Sequence, residues 1–483
     1  MRLARLSAER MASFAWAGFL CAALAFSAWG HVQAGLTLPI PWEDETSWLC
    51  PAIRFAQSGT LFAPELNPDR TLFWQPPGYF IGMALFVKLF GTGLEAARWV
   101  SWAFMASSLG LLALFLRRFP RGGLAFFFLS LCWLDSPLVC IGNIARMEGP
   151  LLFLACAGYL LCAQNRWWKG LAVLALGGLV HFNGVYFFCG AAAAWLLQPS
   201  EWKRPARSDL LVLLPVGILW LGYAVYVGCN WNWFAADMAE QFARKSDRGL
   251  LANALSWPWI GYEILYLAAA AAAWAKWRRG LLVVAFGAAC LALYVVGQEM
   301  WYVPFQFVGI VIALWLAVAG IHALLRSIRA LPRWIPGGFY GVALPAMLVH
   351  LYFQGIVEDP RGYPRDLAWG WGMRAADSVE YATADDLDRV VRALRQALPD
   401  HEPIFLGFDP PGDQMLYTGR LPGHIRPLFP LFTGKRPDFI LVHRSKYVPD
   451  WIARHKDSIS AGAAPLHSRD GGEEWHLLRV SAR

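Results

Sequence analysis

Long apolar runs separated by short polar stretches dominate this chain. They fall near residues 12–29, 77–90, 96–116, 122–142, 149–163, 170–182, 184–198, 209–228, 257–275, 281–297, 302–325 and 336–353. A membrane-spanning helix needs about 20 apolar residues, so the longer runs predict spans and the shorter ones predict kinked or partly penetrating helices. The runs at 170–182 and 184–198 flank His181-Phe182-Asn183-Gly184, a pattern that predicts a tight helical hairpin.

The pattern changes after residue 353. Apolar residues at spacings of three and four predict a helix over 383–398. Short apolar stretches predict strands at 403–408, 438–443 and 475–480. The expected fold is therefore an all-α polytopic membrane domain of about 11–12 hydrophobic segments over 1–353, followed by a small α/β domain over 354–483.

Composition agrees. Only 16% of residues are charged, against about 25% in an average soluble domain. The 26 Trp suit belts at the two membrane interfaces. The net charge of +8 is no nucleic-acid footprint, because it sits in loops between apolar runs. Arg117, Arg118 and Arg121 form one cluster, Arg166 and Lys169 a second, and Lys203, Arg204 and Arg207 a third. Lys276, Arg278 and Arg279 follow, then Arg326, Arg329 and Arg333.

Clusters of this kind mark cytoplasmic loops. They put 30–76, 143–148, 181–184, 229–252, 298–304 and the C-terminal domain on the extracytoplasmic side of an inner membrane. The rule conflicts with a full crossing by 77–90, which would place the Arg117 cluster outside; a re-entrant 77–90 removes the conflict. Arg2, Arg5 and Arg10 before the first run resemble a signal peptide. A retained first span is expected instead, because many spans follow.

The nine Cys form no CxxC pair, and most lie inside apolar runs as small hydrophobes. Only Cys50 and Cys229 fall in predicted outer loops, and their spacing gives a disulfide little support. The ten His form no zinc-binding spacing.

The candidate chemistry lies in those outer loops. Glu43-Asp44-Glu45 follows the first run, and carboxylates held against a membrane face are costly enough to mark function. Trp74-Gln75-Pro76-Pro77-Gly78-Tyr79 opens the second run, Arg146-Met147-Glu148-Gly149 precedes a later one, and Trp301-Tyr302-Val303-Pro304 precedes a late one. Asp44 also reads as a helix cap before Thr46, and Arg146 with Glu148 as a local ion pair at a helix end.

This ordered set resembles the GT-C membrane glycosyltransferases of the protein mannosyltransferase and aminoarabinose transferase type, over residues 1–330 or so. The resemblance implies transfer of a sugar from a polyprenyl-phosphate donor to an envelope lipid, glycan or protein acceptor, among membrane lipids and without nucleic acid. It implies Asp44 as general base, Glu45 as a supporting catalytic residue and Glu148 as a second site carboxylate. Gln75, Arg146, Arg244, Lys245 and Tyr302 become candidate substrate contacts.

Two departures stand out. Gln75 and Gln241 occupy positions where relatives carry better ligands, which disfavours a divalent metal; no cofactor is otherwise implied. Asn183 stands at the hairpin tip where a Lys is frequent. The rival class is a transporter or flippase of lipid-linked or envelope substrates. That class calls for mid-membrane carboxylates and an internal repeat, and the chain displays neither pattern.

Overall fold

The computed structural model describes chiefly residues 43–63, 75–119, 144–198, 204–246, 259–297 and 302–327, together with the backbone of six strands between 404 and 480. The helices are α1 (Glu43–Ser58), α2 (Gly78–Phe90), α3 (Leu94–Leu116), α4 (Glu148–Ala163), α5 (Trp167–Val180) and α6 (Gly184–Leu196). They continue with α7 (Arg207–Cys229), α8 (Trp231–Ser246), α9 (Trp259–Lys276), α10 (Gly280–Gly297) and α11 (Val303–Ser327). Most of the expectations for 1–353 thus match a helix to within a few residues. The runs at 12–29, 122–142 and 336–353 lie largely outside the described residues, as does the helix expected at 383–398.

Among the described residues, Ala96–Leu116, Arg207–Cys229 and Pro304–Leu325 are long and apolar enough to cross a membrane. The other apolar helices are shorter and gain their environment by packing. Small residues let two of them approach closely, as is usual between membrane helices. A Cβ on Gly158 of α4 would lie 2.5 Å from Leu174 Cγ of α5, and one on Gly170 of α5 would lie 2.7 Å from the Gly158 carbonyl oxygen. Below this crossing the core is aromatic: Phe115, Tyr159 and Phe286 meet at 4.9–6.1 Å between ring centroids. Tyr159 donates its hydroxyl to the Phe187 carbonyl at 3.1 Å.

The helices sort into two ends. Residues 45, 75, 98, 145–148, 181–183 and 302 make contacts with one another at one end. At the other end α3 stops at Arg117-Arg118, α4 turns into α5 through Asn165 and Arg166, and α9 turns into α10 through Arg278-Arg279. Lys169 at the start of α5 lies 3.8 Å from Asp209 at the start of α7, tying two of the basic loops together there.

The course of α2 bears on the conflict over 77–90. The helix starts beside the hairpin tip, where Gly78 abuts the backbone so closely that a Cβ would lie 2.5 Å from the Leu179 oxygen. It runs 13 residues, or about 20 Å, well short of the roughly 30 Å hydrocarbon layer. Its third turn touches the third turn of α3, with Phe86 against Phe104 at 6.3 Å. Yet α3 itself starts at the end where α2 started, because Arg98 in its second turn bonds Glu45. From there α3 and α4 run parallel, with Phe104 against Phe153 at 5.4 Å and Phe115 against Tyr159 at 6.1 Å. A helix of this length, with the start of α3 back at the end where α2 starts, agrees with a re-entrant course for this segment. The return between α3 and α4 falls on residues 120–143, which contain the apolar run at 122–142.

Between 404 and 480 the strands are β1 (Ile404–Gly407), β2 (Gln414–Tyr417), β3 (Ile425–Pro427), β4 (Phe439–His443), β5 (Ile459–His467) and β6 (Glu474–Val480). They form one mixed sheet in the order β3-β2-β1-β4-β6-β5. Only β1 and β4 pair in parallel. The sequence shows β1, β4 and β6 as compact apolar stretches. It hides β2, β3 and β5: β2 is only four residues long, β3 contains Pro427, and β5 has Ser, Ala and Gly at 460–463.

The path of α2 is open to labelling in intact cells. With the exposed Cys21, Cys189 and Cys229 replaced by serine, a thiol introduced as Lys88→Cys should react from the same side as one at Gln57→Cys. One at Arg118→Cys should react from the other side. Reaction of Lys88→Cys together with Arg118→Cys would show that α2 crosses.

Candidate functional site

Six chain segments meet at the end of the bundle remote from the basic loops, and each brings polar groups that are costly to bury. The first is α1. It opens at Glu43, so Asp44 lies in its first turn rather than at a cap before Thr46. The positive end of a helix favours a carboxylate there. Glu45 is fully buried, and Arg98 of α3 is fully buried against it. The guanidinium donates through Nε at 2.9 Å and Nη2 at 2.7 Å, one bond to each carboxylate oxygen. Glu45 also accepts the Ala145 backbone N–H at 2.9 Å. One side chain thus binds α1, α3 and the segment before α4.

The adjacent residue carries the second pair. Arg146 donates to Glu148 at 3.2 and 3.1 Å, and both are buried. The Arg146 guanidinium carbon lies 5.6 Å from the Trp48 ring centroid. Trp48 follows Glu45 by three residues, so one face of α1 holds both pairs. Glu148 occupies the first turn of α4, again where a helix favours negative charge.

The third group joins three loops. His181 is buried and accepts the Asn183 backbone N–H at Nδ1, 3.0 Å away. Asn183 donates its side-chain amide to the Tyr302 hydroxyl at 3.0 Å. Gln75 Nε2 lies 3.4 Å from His181 Nε2. In a neutral imidazole whose Nδ1 accepts, Nε2 carries the proton. Gln75 Oε1 is buried and has no hydrogen-bond partner among the described residues. Exchanging the amide oxygen and nitrogen lets His181 donate to Oε1 and places the amide nitrogen in the buried position. Gln75 also lines a cleft with Thr71, Phe73, Phe80, Tyr223 and Tyr226.

The structure thus brings Glu45, Gln75, Arg146, Glu148 and Tyr302 to one end of the bundle. The side chains of Asp44, Arg244 and Lys245 lie outside the described residues, although the helical backbone of all three is placed. The geometry of Glu45 is that of a brace, since both its oxygens face Arg98. Cys50 is buried, Cys229 is exposed, and both are free thiols. No three His, Cys, Asp or Glu side chains converge as a metal site among the described residues.

Sequence reasoning missed Arg98 and Trp48. The signal for Arg98 was present, because it is a cation in the second turn of an apolar span, and such residues are functional by default. Trp48 carried no signal among 26 Trp.

No family model matches the chain, and no curated protein matches it. Solved structures do match. One is the crystal structure of ArnT from Cupriavidus metallidurans in the apo state, 14% identical, with a TM-score of 0.49 over 96% of this chain and 98% of that one. That likeness is one of length and gross chain path, and it assigns no residue role here.

The Glu45–Arg98 brace has a stability signature. Arg98→Met leaves a buried carboxylate without its partner, which should cost about 3–5 kcal/mol of unfolding free energy. Adding Glu45→Gln to Arg98→Met should recover part of that loss, because the stranded charge is gone. Denaturant unfolding of the purified chain reads both. A loss below about 1 kcal/mol in the single variant is what an exposed pair would give, and it would refute the brace.

Proposed function

We propose that this chain is a membrane glycosyltransferase that moves a sugar from a polyprenyl-phosphate donor to a lipid, glycan or protein acceptor. The reaction would take place at the bundle end opposite the basic loops, which the positive-inside rule makes extracytoplasmic. One observation carries the reading. Two buried Arg–carboxylate pairs and a Gln75–His181–Asn183–Tyr302 chain converge at the membrane boundary from loops distant in sequence. Burial on this scale is expensive, so the polar end is retained for work at that boundary.

The chemistry needs a base for the acceptor hydroxyl and donors for the departing phosphate. Glu45 is committed to Arg98 and Ala145. The base is assigned to its neighbour Asp44 in the first turn of α1. The acceptor proton passes to the Asp44 carboxylate as the acceptor oxygen bonds the anomeric carbon. The bond from that carbon to the phosphate oxygen breaks, and the phosphate leaves with the electron pair. Such a single displacement inverts the anomeric centre, as in inverting glycosidases. Glu148 orients Arg146 beside the reacting groups, and Gln75 and Tyr302 are assigned to the substrate. Arg244 and Lys245, in the last turns of α8, are assigned to the phosphate on charge alone.

Mass spectrometry of envelope lipids, glycans and glycoproteins with and without the chain identifies the product. An unchanged envelope would refute the reading. In a reconstituted assay Asp44→Asn should fold and bind donor, yet transfer at least about a hundredfold more slowly, the low end of general-base contributions. Glu43→Gln should do little. Transfer at the parent rate by Asp44→Asn, with Glu148→Gln inactive, would move the base to Glu148.

A further inference from the structure

Asp237 has no place in the chemistry above, yet it is buried at 5% exposure. It sits in α8, a helix whose described residues are mostly exposed or half-buried. Trp231 and Phe242 of α8 are 60% and 67% exposed. They are eleven residues apart and share one face, at about 100° per residue. The helix starts two residues after α7, a span with few buried residues, so connectivity places it at the membrane boundary. Asp237, with Phe234 and Gln241, faces inward instead.

An ionised carboxylate turned inward from a surface helix must be held by donors. Asp237 Oδ2 accepts the Phe73 backbone N–H at 2.8 Å, across 164 positions of sequence. Phe73 is itself buried and packs on Tyr226 near the end of α7, with ring centroids 5.3 Å apart. Two residues further on, Gln75 meets His181. Pro76 and Pro77 then fix the chain stiffly before α2 starts. The Phe73 N–H is thus a point at which the chain before Gln75 is tied to α8.

We propose that Asp237 is a positioning residue that holds the Thr71–Gln75 stretch against α8 and so sets where Gln75 presents its amide. The inference rests on the reading of this end as the transfer site. The carboxylate touches no substrate; it acts through the backbone of Phe73. An acceptor oxygen is required and a negative charge is not, so Asn serves in its place and an isosteric apolar side chain does not.

The test uses the full chain in lipid nanodiscs, with the exposed cysteines replaced by serine and a nitroxide attached at Thr71→Cys. Asp237→Leu should convert an immobilised spectrum into a mobile one, and Asp237→Asn should keep the immobilised form. Where Asp237→Leu does not purify, Asp237→Ala takes its place in the same measurement. In the transfer assay the apolar variant should raise KM about tenfold, equivalent to about 1.4 kcal/mol. Its kcat should stay within about twofold, the pattern of lost uniform binding, and Asn should restore KM. An immobilised label in the apolar variant, or a mobile one with Asn, overturns the proposal. If no chain transfers sugar, the parent included, the function fails while the label spectra still decide the role of Asp237.

Discussion

The polar end of this protein depends on one fully buried ion pair. Glu45 and Arg98 bring α1 against α3, and the third hydrogen bond to Glu45 adds the Ala145 backbone. Removing two charges from water costs several kcal/mol each, which only good geometry and full hydrogen bonding offset. Here two parallel bonds at 2.9 and 2.7 Å meet that requirement. The neighbouring Arg146–Glu148 pair inherits its position, because Ala145 precedes Arg146 and Trp48 rises from the same face of α1 as Glu45. Asp44 lies within this braced turn, which makes the brace a precondition for any chemistry assigned to it.

Charge also orders the bundle along its long axis. Buried, paired charges gather at one end, and exposed arginines and lysines cap the other. Between them the packing uses small residues and rings, as it must where lipid offers no hydrophobic gain between helices. The short helix α2 starts at the polar end. Its thirteen residues make contacts with the hairpin tip at the start and with α3 further along. A segment this short agrees with the re-entrant course that would remove the positive-inside conflict.

Helix positions were legible because apolar runs in a membrane protein must close their own backbone hydrogen bonds. The hairpin at His181–Gly184 followed from run length and charge, which left a full crossing and a re-entrant course open for 77–90. The segments that hold Glu45, Gln75, Arg146, Glu148 and Tyr302 were legible for the same reason, since polar residues at span boundaries stand out. Partnerships were not. Nothing in local spacing ties Glu45 to Arg98, Gln75 to His181, or Asp237 to Phe73, because each bond joins segments 53 to 164 residues apart. The strands β2, β3 and β5 escaped because β2 and β3 are only four and three residues long and small residues blur the pattern in β5, and their pairing comes from neighbours in the sheet.

The parallel course of α3 and α4 has a consequence for how the chain is made. Glu45 and Arg98 both emerge from the ribosome before Ala145, so the ion pair can form while its third hydrogen bond is still missing. Parallel neighbours cannot dock as a hairpin; the residues between them must be made before α4 can pack on α3. Until then, the Glu45 carboxylate lacks the Ala145 donor and α4 cannot cover the pair. Synthesis therefore passes through a stage in which an arginine at the head of a new span is neutralised but not yet sealed. The acid that braces the finished site is also the group that lowers the cost of placing Arg98 at the membrane boundary during insertion.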